Sequence, residues 1–209
     1  MYEVELKAHV DDRKKVISKL NFFAKYIGAV QKDDIYWGLH IGERKIQARL
    51  RKETPLEFLD AEAVMMNIRA DDARLKPDLR HQKIYFTYKR KEVRKNADGT
   101  TFEVNDEQET LVKESEPIEA FFKDLGLEIL VEKHKTVISY LYEGAHIELC
   151  TVPPLGDFLE IEILTSTKDE SSLESYRKKL IEILEKCGIS EDKIEERYYS
   201  EMLQGLKNV

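Results

Sequence analysis

Apolar and polar residues alternate along most of the chain, and this period of two predicts β-strands. In residues 2–9, Val4, Leu6 and Ala8 alternate with charged or polar side chains. Successive side chains of a strand point to opposite faces, so each such segment has one apolar face and one charged face. The same pattern predicts further strands near 30–38, 45–53, 83–93, 101–113, 128–142, 145–152 and 157–165.

Helical spacing of apolar residues separates some of these strands. A first helix is predicted to begin after Asp11 or Asp12 and to end at Gly28, because acidic residues cap helix starts and glycine ends helices. Its apolar stripe consists of Val16, Leu20, Phe23 and Ile27. Further helices are predicted near 116–125, 172–187 and 191–205.

Two connecting segments differ from the strands around them. Residues 54–80 follow neither period and are bracketed by Pro55 and Pro77. We interpret them as an inserted excursion within a single domain that spans residues 1–209. The stretch from Asn96 to Gly99 is a strong hairpin signal between two strands.

The order of the elements indicates an α+β fold with mostly antiparallel strands. Helices with apolar stripes must cover apolar surface, and the apolar strand faces are the available partners. If the helices lie outside, the charged faces point inward, and a barrel of about eight strands can then enclose a small ligand. The alternative is that each charged face is only the solvated side of an amphipathic strand.

The charges on the strand faces are segregated by sign, which favours an enclosed site. Hard divalent cations such as Mg²⁺ or Mn²⁺ prefer carboxylate oxygens, whereas a triphosphate requires several fixed cations. Both groups in one cavity would bind a metal and a triphosphate together. The acidic pairs are Glu3, Glu5, Glu160 and Glu162. The cationic pairs are Arg49, Arg51, Lys89, Lys91, Lys133 and Lys135.

Composition and net charge limit the classes of partner. The 209 residues are 36% charged with a net charge of −7, so a broad nucleic-acid surface of clustered Lys and Arg is not expected. Cys150 and Cys187 are too few and too far apart for a disulfide scaffold or a structural zinc site. No run approaches the roughly 20 apolar residues of a membrane span, and the charged start lacks a signal peptide. We expect a cytoplasmic protein without a membrane partner.

Charged motifs follow one another in a characteristic order along the chain. They are Glu3-x-Glu5-x-Lys7, Arg49-x-Arg51, Thr87-x-Lys89, Glu107-x-Glu109, Lys133-x-Lys135 and the segment from Leu155 to Glu162. This order resembles the CYTH superfamily, the triphosphate tunnel metalloenzymes. The segment 155–162 is similar to the terminal-strand motif of that family nearly residue for residue. The resemblance covers about 1–53 and 83–205.

The resemblance implies a closed eight-stranded antiparallel β-barrel, with helices packed on the outside, that acts on a triphosphate with Mg²⁺ or Mn²⁺. The implied metal ligands are Glu3, Glu5, Glu160 and Glu162, with Glu107, Glu109 and Glu148 as further candidates. The implied phosphate-binding residues are Lys7, Arg49, Arg51, Lys89, Lys91, Lys133 and Lys135. The expected catalytic residues among them are Lys7, Arg49 and Arg51. The expected partner is a triphosphate-bearing small molecule, and a homodimer is an allowed assembly.

Three positions depart from the pattern of the family. Asn105 stands where Arg is common, Cys150 stands where Asp is common, and Lys135 stands where Arg is usual. Glu148 precedes Cys150 by two residues on the same face and is the expected substitute for the missing acid. These departures bear on the choice of reaction.

Three functions stay open from the sequence. An adenylate cyclase would convert ATP to cyclic AMP and pyrophosphate, and the form of residues 155–162 favours this by resemblance. A triphosphatase would hydrolyse thiamine triphosphate, tripolyphosphate or a nucleoside triphosphate with the same residues. A module that binds polyphosphate or nucleotide without turnover is the third, although simple anion binding needs fewer carboxylates.

Other polar and aromatic residues are expected to serve structure. We expect Tyr36 and Trp37 to pack rather than to contact a base. Asp33 and Asp34 are expected to be solvated. Tyr198 and Tyr199 are expected to pack within the last helix rather than to fill the barrel.

Overall fold

The computed structural model of the protein describes residues 2–42, 44–58, 75–95, 101–166 and 169–207. The long strands are β1 Tyr2–Val10, β2 Lys25–Ile41, β3 Arg44–Phe58, β5 Lys83–Lys95, β6 Thr101–Val112, β7 Glu128–Tyr142, β8 Ala145–Val152 and β9 Gly156–Thr165, and β4 is the short Leu75–Pro77. The helices in these ranges are α1 Arg13–Phe23, α2 Glu116–Asp124, α3 Glu170–Lys186 and α4 Tyr199–Lys207. Short 3₁₀ helices lie at Leu79–His81 and Glu191–Lys193.

The strands form one antiparallel sheet in the order β1-β9-β8-β7-β2-β3-β5-β6, with β4 paired to β3. The predicted α+β class and antiparallel arrangement are therefore confirmed. The predicted closure of the sheet into a barrel is not confirmed, because no ladder of hydrogen bonds joins β1 to β6 within the described strands. The free edge of β1 instead meets the C-terminal segment, where the Glu195 amide donates to the Lys7 carbonyl over 2.7 Å.

Helices α1 and α3 cover the apolar face of β1, β7, β8 and β9. Val16, Ile17 and Leu20 of α1 are buried there together with Leu180 and Ile183 of α3. The strand residues of the same cluster include Val4, Ala8, Ile138, Ile147, Leu149, Leu159 and Ile161. Burial of one such aliphatic side chain contributes about 2 kcal/mol to folding stability, so these contacts stabilise the packing of α1 and α3 on the sheet. Helices α1 and α3 thus lie on the apolar face, as the sequence predicted, and the charged face is turned away from them. The last helix, α4, differs from the prediction because Tyr199 and Met202 pack on inner-face residues of β7, β8 and β9.

A second apolar cluster lies beneath α2, at the other end of the sheet. Trp37 of β2 and Phe122 of α2 are both buried there, with ring centroids 5.6 Å apart. Ala48 and Leu50 of β3 complete the contact. Trp37 is only 1% exposed, which confirms that it packs.

The first predicted helix is shorter in the structure than in the sequence pattern. Helix α1 is capped by Asp12, whose side chain accepts from the Lys15 amide over 3.0 Å, and it ends at Phe23. Ala24 is extended, and β2 then pairs with β7. The prediction of a helix up to Gly28 was wrong because strand pairing overrides the apolar spacing, and Ile27 lies in β2 with 53% of its surface exposed.

The last predicted helix is divided. The 3₁₀ helix Glu191–Lys193 is followed by an extended segment in which Ile194 bridges Ala8 of β1, and α4 begins only at Tyr199. The prediction of one helix over 191–205 was wrong because this segment pairs with the free edge of β1.

The excursion predicted at 54–80 begins as strand. β3 continues through Phe58, and β4 and the 3₁₀ helix Leu79–His81 follow at its far end. The intervening residues 59–74 and the predicted turn at 96–99 lie outside the described residues. None of the described helices combines the length and hydrophobicity that a membrane-spanning helix requires.

Candidate active site

The charged strand faces line one cavity of about 1020 Å³. Its lining includes carboxylates from β1, β8 and β9 and cations from β1, β2, β3 and β7. They are Glu5, Lys7, Lys32, Arg49, Arg51, Lys133, Lys135, Glu148, Glu160 and Glu162. The structure thus brings together nine of the residues predicted at the site, and it adds Lys32, which the sequence analysis missed.

Strand register arranges the acidic side of this cavity in rows. Glu162 of β9 lies opposite Glu5 of β1 and His146 of β8. Two residues further along the same face, Glu160 lies opposite Lys7 and Glu148. Each row brings side chains of three strands within reach of one ligand.

Glu5 lies at the exposed mouth of the cavity. Partial burial raises the pKa of this carboxyl, and the negative charges of Glu160 and Glu162 raise it further. Carboxylates that repel one another in this way offer a site to a divalent cation. Glu3 belongs to the same strand face, opposite Leu164, but only its backbone is described.

Two lysines hold the inner carboxylates. Lys135 Nζ lies 2.5 Å from Glu160 and 3.1 Å from Glu148, and Lys32 Nζ lies 3.0 Å from Glu148. Burial alone would raise the pKa of Glu148, but the charges of Lys135 and Lys32 outweigh it and lower this pKa to about 2. These residues are therefore ion-paired at neutral pH.

Cys150 occupies the position where the family resemblance predicts an acid. Its sulfur lies among ligand atoms of Glu148 and Glu160 that are all within 4.8 Å of one another. Cys150 is fully buried, and burial raises the pKa of its thiol well above the usual range. A protonated thiol is a poor ligand for Mg²⁺, so the carboxylates are the better candidates at this point.

The cationic side of the cavity is organised around Asp34 of β2. Arg51 donates through Nε and Nη2 to the two carboxylate oxygens over 2.6 and 3.1 Å, and Lys133 Nζ lies 2.7 Å away. Asp34 was expected to be solvated, and that expectation was wrong: its side chain is fully buried. The period of the strand explains this, since Asp33 points to the opposite face and pairs there with His134 over 2.6 Å.

Arg49 of β3 forms a separate row with β5 and β6. Its Nη2 donates to Thr87 and to Glu109, each over 3.0 Å. Glu109, a further metal candidate from the sequence, is thus paired with a predicted phosphate-binding residue. The register places Lys89 opposite Glu107 and Lys91 opposite Asn105. The side chains of these four residues lie outside the described part of the structure.

One end of the inner face is apolar and is covered by α4. Along β7, β8 and β9 the charged residues give way on the same face to Val137, Cys150 and Phe158, which pack with Tyr199 and Met202 of α4. Helix α4 therefore closes this end of the cavity, whereas Glu5 and Glu162 lie toward the other end.

Tyr199 takes part in the site as well as in packing. The ammonium groups of Lys7, Lys133 and Lys135 lie 4.6, 5.5 and 5.7 Å from the centre of its ring. Burial raises the pKa of its hydroxyl, and the nearby carboxylate of Glu160 raises it further. Tyr199 packs as expected and also lines the cavity, whereas Tyr198 is 68% exposed, which contradicts the expectation that it packs.

Residues of β2 are the main addition of the structure to the predicted site. Lys32, Asp34 and Tyr36 alternate along this strand and therefore share its inner face. Tyr36 donates its hydroxyl to Asp34 over 3.4 Å. The alternation was visible in the predicted strand 30–38, but only the pairing of β2 with β3 and β7 sets these side chains beside the cations.

Comparison with known proteins gives relatives over the full length of the chain. A Methanocaldococcus jannaschii protein named as a candidate adenylate cyclase is 27% identical over 208 residues, which is 99% of this chain and 100% of that protein. A solved Pyrococcus horikoshii structure has a TM-score of 0.66 at 23% identity and covers 100% of both chains.

A more distant solved structure comes from Hippeastrum. Its TM-score is 0.55 at 15% identity, with 97% of this chain and 94% of that chain covered. It is described as an adenylyl cyclase candidate that reveals a dominant triphosphatase activity. At these identities the two solved structures support the fold alone.

The family profile agrees with the motifs and with the fold. The CYTH domain matches residues 1–199, which include every strand of the sheet and all the described residues that form the two charged sides of the cavity. The chain belongs to the CYTH domain family.

Proposed function

We propose that the protein hydrolyses a triphosphate in a metal-dependent reaction. The observation that carries the proposal is the arrangement of one cavity, with acidic rows from β1, β8 and β9 beside a cationic group from β2, β3 and β7. A triphosphate carries about four negative charges and needs fixed cations, whereas a hard metal needs carboxylate oxygens. The cavity offers both within one ligand length.

Carboxylates of β1 and β9 are proposed to hold the metal. Glu5, Glu160 and Glu162 would coordinate Mg²⁺ or Mn²⁺, and Glu3 is retained as a proposed ligand from the sequence. When bound, such an ion neutralises phosphate charge and lowers the pKa of a coordinated water. The raised pKa of Glu5 agrees with this role, because a cation relieves the repulsion among the three carboxylates.

The cations are proposed to bind and orient the phosphate chain. Arg51 presents a planar group that can fork onto phosphate oxygens, and Lys7 and Lys133 act as point charges. Arg49, Lys135, Lys89 and Lys91 complete the proposed set. Fixed cations stabilise charge that develops on the phosphoryl group during transfer, which is the main contribution of the protein in this class of reaction.

The composition of the lining favours hydrolysis over cyclisation. A cyclase must hold the ribose and base so that the 3′-hydroxyl attacks the α-phosphorus. Two tyrosines line the cavity: the ring of Tyr199 is already covered by ammonium groups, and Tyr198 is 68% exposed rather than part of an enclosed base pocket. A triphosphatase needs only the phosphate chain, a metal and water. The activity described for the Hippeastrum protein supports the same choice.

Adenylate cyclisation is the second candidate. The name of the Methanocaldococcus jannaschii relative supports it, as does the form of residues 155–162. Both reactions would use Lys7, Arg49 and Arg51 to hold the phosphates, so loss of any of these residues cannot separate them. The identity of the products can.

Product analysis tests the proposal directly. We expect the purified protein with Mg²⁺ or Mn²⁺ to release inorganic phosphate from tripolyphosphate, thiamine triphosphate or ATP, and to lose this activity with EDTA. Cyclic AMP and pyrophosphate from ATP would favour the cyclase instead. Binding of all three compounds without turnover, or turnover that survives EDTA, would contradict the proposed function.

A pair of carboxylate variants tests the metal site. Glu160→Gln removes a charge that a hard cation requires, so kcat should fall by about 10²-fold or more while the protein stays folded. Glu132→Gln is the matched control, because Glu132 is exposed and lies next to Lys133 on the opposite face of β7. Steady-state kinetics at saturating Mg²⁺ and circular dichroism provide the two measurements. Equal activity of the variants would remove Glu160 from the metal site.

A further inference from the structure

Asp34 lies between two proposed phosphate-binding cations on the inner face of β2. The antiparallel register sets it directly opposite Arg51 in β3 and opposite Lys133 in β7. Opposed residues of neighbouring strands share a face, so the three side chains form one row across three adjacent strands. This row crosses the cationic side of the cavity.

The contacts of Asp34 occupy both of its oxygens. Arg51 Nε lies 2.6 Å from Oδ1, Arg51 Nη2 lies 3.1 Å from Oδ2, and Lys133 Nζ lies 2.7 Å from Oδ2. The Tyr36 hydroxyl donates to the same carboxylate over 3.4 Å. The side chain of Asp34 is 0% exposed, whereas 18% of Arg51 and 7% of Lys133 stay accessible. The cations therefore meet the cavity, and the carboxylate lies behind them.

A buried carboxylate in this position is stable only with its cations. Burial raises its pKa, but the hydrogen bond from Arg51 and the charges of Lys133 and Arg51 outweigh burial, and the pKa of Asp34 lies well below its usual range. Asp34 is therefore ionised at neutral pH. With both oxygens held by cations, it is not available as a metal ligand.

We infer that Asp34 is a positioning residue that holds Arg51 and Lys133 in the orientation in which they bind the reacting phosphates. Free Lys and Arg side chains have many rotamers, and ordering one of them costs up to about 2 kcal/mol. The pair through Nε and Nη2 fixes the plane of the guanidinium group, and Nη1 lies at the longer distance of 3.6 Å from Glu53, so it is the group proposed to turn to a phosphate. The inference rests on the proposed triphosphate chemistry and extends it to a residue that touches neither substrate nor metal.

Replacement of Asp34 by Asn separates orientation from charge. The variant keeps the shape of the side chain but leaves the cavity one unit more positive. Attraction for the anionic substrate is therefore retained, whereas the alignment of Arg51 and Lys133 is lost. We expect kcat for tripolyphosphate to fall about 10²-fold, because small misplacements of binding groups cost this much. We expect KM to stay within about threefold of wild type or to decrease.

Asp33→Asn is the matched control. Asp33 is the adjacent residue of the same strand, and its carboxylate is paired with His134 on the opposite face. Each variant removes one paired carboxylate from β2, and we expect Asp33→Asn to keep wild-type kcat and KM. A rise in KM of Asp34→Asn with unchanged kcat would contradict the inference, as would equal effects in the two variants.

A spectroscopic measurement covers the case in which Asp34→Asn does not fold. In ¹⁵N NMR spectra of the wild-type protein, the Arg51 Nε–H signal should be protected from exchange with water and should stay protected when tripolyphosphate binds. Exchange at the rate of a free guanidinium group would contradict the inference. If the wild type turns over the substrate and a folded Asp34→Asn variant keeps full activity, the role of Asp34 is refuted but the proposed function is not. Absence of wild-type turnover would refute the proposed function and this role together.

Discussion

Single residues in the cavity are governed by the cost of burying charge. Lys32, Lys135 and Glu148 are mostly buried, and each is held by a partner of opposite sign. Removal of one partner from such a group leaves the others unpaired in a medium of low polarity, which costs more than the pair itself contributes. Stability at this site should therefore depend on each member and on pH.

Glu148→Gln should lower the free energy of unfolding at pH 7 by about 3 kcal/mol, because Lys32 and Lys135 lose their shared carboxylate. The pKa of Glu148 is about 2 in the folded protein, against an ordinary value of 4.5. Its stabilisation is therefore fully present above pH 4.5 and is lost as the pH falls toward 2. The difference between wild type and variant should shrink over this interval in urea unfolding experiments.

Glu174→Gln provides the control for this measurement. Glu174 is 56% exposed on α3 and lies 4.0 Å from Lys178 in the next turn. An exposed pair of this kind contributes less than about 1 kcal/mol, so the variant should unfold like wild type at every pH. A pH-independent difference between Glu148→Gln and wild type would show that Glu148 does not carry the charge assigned to it.

Elements of secondary structure divide the inner face of the sheet into a reactive part and a closed end. The strands supply both, because the same alternating positions are charged near Glu160 and apolar near Phe158. Helix α4 covers the apolar part and brings Tyr199 against the lysines. Helix α4 thus contacts the charged part of the cavity through the ring of Tyr199.

Variants of Tyr199 should separate the contribution of its ring to the free energy of unfolding from the contribution of its hydroxyl. Tyr199→Phe should lower the free energy of unfolding by no more than about 1 kcal/mol, because only the interaction of the hydroxyl with Glu160 is lost. Tyr199→Ala removes the ring that contacts the ammonium groups and should lower the free energy of unfolding by about 3 kcal/mol or more. Urea denaturation compares the two. Equal destabilisation by both changes would mean that the contribution of Tyr199 to stability comes from its hydroxyl and not from its ring.

At the scale of the whole molecule, the carboxylates and the cations of the cavity partly neutralise one another. The carboxylates proposed for the metal are held in part by the cations proposed for the phosphates, as in the contact of Lys135 with Glu160. A metal that takes Glu160 must displace an ammonium group, and that group then becomes available to phosphate. Metal and triphosphate should therefore favour each other's binding. The homodimer and the cytoplasmic location expected from the sequence stay predictions.

Lys135→Gln should bind Mn²⁺ about tenfold more tightly than wild type in the absence of triphosphate, a difference of about 1.4 kcal/mol. The physical reason is that Glu148 and Glu160 lose a competing cation. Lys133→Gln is the matched control, because Lys133 is paired with Asp34 rather than with the proposed metal ligands. Calorimetric titration with Mn²⁺ measures both. Equal affinities of the two variants would contradict competition between Lys135 and the metal.

The pattern of the sequence by itself determined most elements and the charged face of each strand. The strand near 157–165, for example, was predicted within one residue of β9. The chemical class of the site also followed from local motifs, since Glu160 and Glu162 share a face in any extended segment. These features depend on neighbours within a few residues, so the sequence contains them directly.

Only the tertiary structure decided how the strands meet. Asp34 is buried because β2 pairs with both β3 and β7 in the register that opposes it to Arg51 and Lys133. The last helix is shortened, and Tyr199 lies in the cavity, because the segment before it pairs with β1 almost 190 residues away. Hydrogen bonds between distant strands set these positions, and a periodic pattern specifies the face of a side chain but not its partner.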